Sequence, residues 1–146
     1  MRSTITLISN PFPSMSALEL GKAFLTDNAT KPGVITTASG LQYLILTEGA
    51  GKTPKATDTV VVNYRGTLLN GSEFDSSYGA GREPAEFPLN RVIKGWTEGL
   101  QTMKEGGKTR FFIPSNLAYS TRGAGMDIGP NETLIFEVEL LKVWED

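Results

Sequence analysis

Six aromatic residues, Tyr64, Phe74, Phe87, Trp96, Tyr119 and Phe136, come from six separate stretches of the chain. Singly, each reads as ordinary core. Brought together, they would line a concave apolar site able to bind and desolvate a ligand. The carboxylates Asp75, Glu83 and Glu86 flank a glycine-rich stretch, so their separation is not readable. Solvated or ion-paired carboxylates are the expectation there, rather than an acid–base pair. Histidine and cysteine are both absent. The usual general base, the usual zinc ligand, the thiolate and the Ser-His-Asp arrangement are therefore unavailable. Chemistry on this chain runs on carboxylates, Lys or Tyr, or needs no proton transfer.

The stretch that must position the aromatics is Phe87 to Met103. It opens as a strand and ends as a short helix. Ile93, Trp96, Leu100 and Met103 share one helical face. Gly95 and Gly99 each cost that helix about 1 kcal/mol relative to Ala. A helix this weak is held by packing, which makes Trp96 the floor of an apolar pocket with a sheet wrapped around it.

The strands are read from alternation. Leu41–Leu46 is one, and Thr59–Leu69 another, with Val60, Val62 and Tyr64 on one face. Asn70-Gly71 predicts a type I′ turn returning into Ser72–Asp75. Ser76–Glu83 is a glycine-rich loop and Glu86–Leu89 is short and extended. Lys108–Ile113 follows, then a long connection from Pro114 to Pro130 with one helical turn near Leu117–Tyr119. The last strand, Thr133–Val143, turns Leu134, Phe136, Val138 and Leu140 inward. Upstream, Ser16-Ala-Leu-Glu19 is a capping box opening a helix over about Ala17–Asn28, with Ala17, Leu20 and Phe24 as its apolar stripe. That helix either rests on the domain or is the remnant of a longer dimerising helix. Met1–Met15 read as irregular. The fold class is α+β, an antiparallel sheet curled over a helix.

The 146 residues suffice for one domain with a real core, and a 39% hydrophobic share marks a soluble globular chain. A net charge of −2 without a dense Lys/Arg cluster argues against a nucleic-acid partner. No apolar run approaches the roughly 18 residues of a membrane span. The apolar run Ile5–Ile8 is too short for a signal-peptide core, so a cytoplasmic location is the expectation. Gly49-Ala-Gly-Lys-Thr53 resembles a phosphate loop but has Leu46 where the first Gly belongs, and a strand follows it. No cofactor and no metal are expected.

Several motifs in order resemble the FKBP-type peptidyl-prolyl cis-trans isomerases. They are Val61-Val-Asn-Tyr-Arg-Gly66, Phe74-Asp-Ser-Ser77, Phe87 with Val92-Ile-Lys-Gly-Trp96-Thr-Glu-Gly99, Ala118-Tyr119, and Thr133 to Leu141. The register runs from about Thr37 to Trp144. Ala23–Leu41 further resembles the bacterial subgroup related to the macrophage infectivity potentiator. The resemblance implies an N-terminal extension over residues 1–36 and an isomerase domain over 37–146, built as an antiparallel half-barrel around the short helix. It implies Trp96 as the floor under a proline ring, and Ile93 N–H and the Tyr119 hydroxyl as donors to substrate carbonyls. Tyr64 and Asp75 complete that catalytic group, with Asp75 held by Arg82. Phe74, Phe87, Val92, Ile128 and Phe136 would be substrate-binding walls. Ala85 stands where many members have a second aromatic wall, Ser120 where Gly is usual, and Ala124–Ile128 departs from the common form of a loop that contacts substrate in the family. Proline-containing polypeptides are the implied partners and macrolides the implied inhibitors. The helix over Ala17–Asn28 is short for the subgroup's dimer arm, so a monomer is expected. The expected activity is prolyl isomerisation. The rival is a non-catalytic binding or chaperone module of the same fold.

Overall fold

Thr59–Leu68, strand β3, has Val60, Val62, Tyr64 and Gly66 on one buried face. In the computed structural model, which describes residues 16–79 and 81–145, it pairs along its whole length with β7, Leu134–Trp144. The register is antiparallel, from Thr59 opposite Trp144 to Leu68 opposite Leu134. Outward from β7 lie β6 (Lys108–Ile113), β2 (Gln42–Thr47) and the two-residue β1 (Ile35–Thr36). The other edge of β3 is divided. β5 (Ala85–Pro88) takes Thr59–Val62, and β4 (Glu73–Ser76) takes Arg65–Thr67. Every pairing is antiparallel. Ser77 fills the gap between β5 and β4. Its N–H donates to Tyr64 O at 2.9 Å, and its hydroxyl accepts from Tyr64 N at 2.8 Å.

The helix α2, Lys94–Leu100, lies on the concave face. Its two glycines explain how a weak helix holds its place. A Cβ on Gly95 would stand 2.5 Å from Ile113 Cγ2, and one on Gly99 2.6 Å from Phe111 Cε1. The helix backbone therefore sits directly on β6, and close packing offsets poor propensity. Trp96 and Leu100 point into the core.

The opposite face of β6 carries α1, Ala17–Asn28, begun by the expected Ser16–Glu19 capping box. Phe24 packs on Phe112 with ring centroids 5.8 Å apart. Asn28 Nδ2 donates to Gln42 Oε1 at 2.8 Å, and Gln42 Nε2 donates to Leu25 O at 2.8 Å. The expected stripe of Ala17, Leu20 and Phe24 is only partly used. Leu20 is 49% exposed, and the buried positions are Gly21 and Asn28. The helix is anchored by a close backbone approach at Thr133 and by amide pairing, which an apolar-periodicity reading does not register.

Two turns differ from expectation. Gly71 has φ +89 but Asn70 is not in the left-handed region, so the hairpin is not type I′. Gly71 N donates to Leu68 O at 3.0 Å and Leu68 N to Ser72 O at 2.9 Å. This is a tight turn followed by a glycine bulge. The turn expected near Leu117–Tyr119 lies at Ser115–Leu117. In β7 a bulge opposite Val61–Val62 breaks the alternation after Leu140, so that Val143 turns inward. Met1–Met15 lie outside the described residues.

Candidate active site

Trp96 is held by three rings. Tyr64, Phe87 and Phe136 approach the indole at centroid distances of 5.3, 5.6 and 5.3 Å, all near-perpendicular at 84°, 88° and 86°. This is the edge-to-face geometry that aromatic quadrupoles favour. Phe74 stands perpendicular to Phe136 at 5.4 Å. Gly66 permits this arrangement, because a Cβ there would lie 2.6 Å from Phe74 Cζ and 2.7 Å from Phe136 Cε1. Gly66→Ala is therefore expected to displace both rings and lower stability by about 1–3 kcal/mol. Urea unfolding checks this.

Above the indole opens a cavity of about 670 Å³. All ten residues anticipated from sequence line it: Tyr64, Asp75, Ile93, Trp96, Tyr119, Phe74, Phe87, Val92, Ile128 and Phe136. Ala124, Gly125 and Asp127, from the Ala124–Ile128 loop that the resemblance sets against substrate, also line it, as does Arg91, which sequence reading did not single out. Ala85, half-buried on β5 opposite Val62, does not.

The polar groups are few and placed by backbone. Tyr64 OH donates to Asp75 Oδ2 at 2.7 Å, and Ser76 N donates to Asp75 Oδ1 at 2.9 Å. Arg82 is not the partner of Asp75; its Nη1 donates to Ser76 O at 2.5 Å. Ile93 caps the N-terminus of α2, its carbonyl accepting from Trp96 N and Thr97 N at 3.0 and 3.1 Å. Its own N–H has no partner among the described residues. The Trp96 indole N–H is likewise buried without an acceptor. Leaving it so costs about 1–3 kcal/mol, against which the three-ring packing is set.

Tyr119 is 36% exposed at the rim. It is followed by Ser120 at φ +50, a conformation that favours Gly. Ser120 is held there because its N–H and hydroxyl both donate to Ser115 O, at 2.9 and 3.3 Å, and Asn131 N donates to Ser120 O at 2.7 Å. Beyond it, Ala124 and Ile128 pair in a one-residue bridge that turns Ile128 into the cavity.

Burial raises the Tyr64 phenol above its ordinary range, with the Asp75 hydrogen bond adding to it. Burial, then the Asp75 charge, raises Tyr119. Both stay protonated donors wherever unfolded tyrosine does, and beyond. The folded protein therefore keeps protons that the unfolded chain releases above about pH 10. This part of the stability is complete below about pH 10 and falls as pH rises past it. Urea midpoints measured on either side of about pH 10 check this.

A pleated half-barrel laid over one short helix, with an indole-floored cavity walled by aromatic rings, defines a class. The chain belongs to the FKBP-type peptidyl-prolyl cis-trans isomerase family, whose model matches residues 50–141. The domain amino-terminal to such isomerases matches residues 14–45. Among similar proteins is a probable FKBP-type peptidyl-prolyl cis-trans isomerase FkpA of Neisseria meningitidis, 58% identical over 125 residues, covering 86% of this chain and 46% of that protein. The peptidyl-prolyl cis-trans isomerase Mip of Coxiella burnetii is 54% identical over 125 residues, covering 86% and 54%. A crystal structure of a peptidyl-prolyl cis-trans isomerase from Pseudomonas syringae superposes with a TM-score of 0.83 at 40% identity, covering 94% of this chain and all of that one. The chain spans about half the length of the curated relatives it matches.

Proposed function

We propose that this chain catalyses cis–trans rotation about X-Pro bonds in polypeptides. The observation that carries the reading is the cavity floored by Trp96, open to the outside and bordered by the Ile93 N–H and the Tyr119 hydroxyl. Rotation about the prolyl amide faces a barrier of about 18–20 kcal/mol from amide resonance. No proton or nucleophile is transferred, which suits a chain lacking His and Cys. Water stabilises the planar, polar ground state more than the twisted one. An apolar cavity removes that advantage, and fixed donors favour the twisted geometry. Each 1.36 kcal/mol is about tenfold in rate, so a gain of about 7 kcal/mol brings tens of seconds below a millisecond.

The proline ring sits on Trp96 between Phe87, Val92, Ile128 and Phe136, with Phe74 as the outer wall. Ile93 N–H and Tyr119 OH take the substrate carbonyls. Asp75 has no proton to accept in this reaction and serves to hold Tyr64 and its strand. Since no group titrates in the catalytic step, the rate is expected to be flat from about pH 6 to 9. Macrolide ligands that mimic a prolyl amide compete for the same floor. The chain is taken as a monomer, because the Gly21, Phe24 and Asn28 positions of α1 are spent on its own sheet. Sedimentation reads that directly.

The test is isomerisation of a proline peptide at micromolar protein, with and without a macrolide. Acceleration abolished by the macrolide is expected. No acceleration over buffer would remove the catalytic reading and leave a binding module.

A further inference from the structure

Arg91 ends the 3-10 turn Leu89–Arg91, which leads into the Val92–Ile93 wall, and it lines the cavity itself. Its backbone is fixed from the turn behind it. Leu89 is wholly buried, its N–H donates to Asp58 O at 2.9 Å, and the Thr97 hydroxyl donates to Leu89 O at 2.7 Å. The side chain is exposed, and the guanidinium makes no hydrogen bond or ion pair with any described residue. Three other arginines are occupied. Arg65 pairs with Glu73 and Arg110 with Glu137, each at 2.7 Å, and Arg82 holds Ser76 O. Of the two carboxylates lining the cavity, Asp75 is engaged at both oxygens, and Asp127 is exposed and not paired with Arg91.

The mouth thus presents a planar cation that no described residue engages, at a fixed base beside the apolar walls. A guanidinium fork matches a carboxylate. An extended chain advances roughly 3.3–3.6 Å per residue, so a long side chain at this place covers the nearest neighbours of a residue seated on Trp96. Resting on the reading of the cavity as a proline-peptide site, we propose that Arg91 is a specificity-determining residue: it binds an Asp or Glu side chain of the client at the position just before the proline or at one of the two after it.

The test uses proline peptides carrying Glu or Gln at the position before the proline, or at either of the two after it. The readouts are kcat/KM and, independently, Kd by titration calorimetry. At one of these positions the Glu-to-Gln preference is expected to fall about two- to fivefold from the native protein to Arg91→Gln. Arg91→Lys should restore part of it, and about 1 M salt, where the Debye length is roughly 3 Å, should erase most of it. An unchanged preference in Arg91→Gln at all three positions overturns the assignment. So does an equal fall in Asp127→Asn, which would mark a disturbed cavity instead of a lost cation. Peptides bound but not turned over would remove the catalytic reading while calorimetry still decides this one. Turnover with equal preference in both proteins would do the reverse, and neither binding nor turnover would overturn both.

Discussion

Truncating Trp96 to Ala is expected to lower the free energy of unfolding by about 3–5 kcal/mol and to bring prolyl isomerisation down to the rate in buffer. The indole is 4% exposed and meets three perpendicular rings, so its removal leaves a void that none of the three can fill without abandoning its own packing. The same void deepens the cavity and lets water under the substrate, which restores the solvation advantage of the planar amide. Urea unfolding followed by circular dichroism measures the first effect, and the proline-peptide assay the second. Trp96→Phe separates them. It keeps a ring and discards an indole N–H that has no acceptor among the described residues, so it should stay closer to native stability while still losing rate. A folded Trp96→Ala protein isomerising at the native rate would mean that the reaction does not occur over this residue.

Gly99→Val is expected to destabilise by about 3 kcal/mol, against the sign that helix propensity gives. Replacing a mid-helix Gly usually removes a penalty of up to about 1 kcal/mol. Here the first added carbon would lie 2.6, 2.9 and 3.1 Å from three atoms of the Phe111 ring. Phe111 is wholly buried, so it has nowhere to go. The helix must lift off β6, and Trp96 lifts with it. The chemical-denaturation midpoint reads the loss, and a fall in peptide affinity accompanies it.

Much of this was legible in the chain. β3 could be read because its buried face alternates without interruption from Val60 to Gly66. The start of α1 was legible from Ser16 and Glu19, whose reciprocal bonds form as the pattern requires. Six of the ten lining residues were the aromatics already grouped by type, whereas Asp75, Val92, Ile93 and Ile128 came as site residues only with the family resemblance, not from periodicity. What stayed hidden has physical causes. Arg91 is an exposed charge with no pattern to distinguish it from surface. The loop holding Ala124 and Gly125 was flagged by the resemblance, but the single Ala124–Ile128 bridge that shapes it is invisible to a local reading. The Asn70-Gly71 turn had the right place and the wrong type, since a following bulge satisfies the same dipeptide with only one residue at positive φ. The two helix glycines read as weakness until Phe111 and Ile113 were seen beneath them.

The two tryptophans sit in opposite surroundings. Trp96 is enclosed, whereas Trp144, at the end of β7, is 49% exposed with Lys142 Nζ 4.4 Å from its ring centroid. Their emission should therefore separate into a blue component from the interior and a red one from the rim of the sheet. Iodide, drawn by the lysine, should quench only the red. A ligand entering the cavity should alter only the blue, so occupancy can be followed in the unmodified protein without a label.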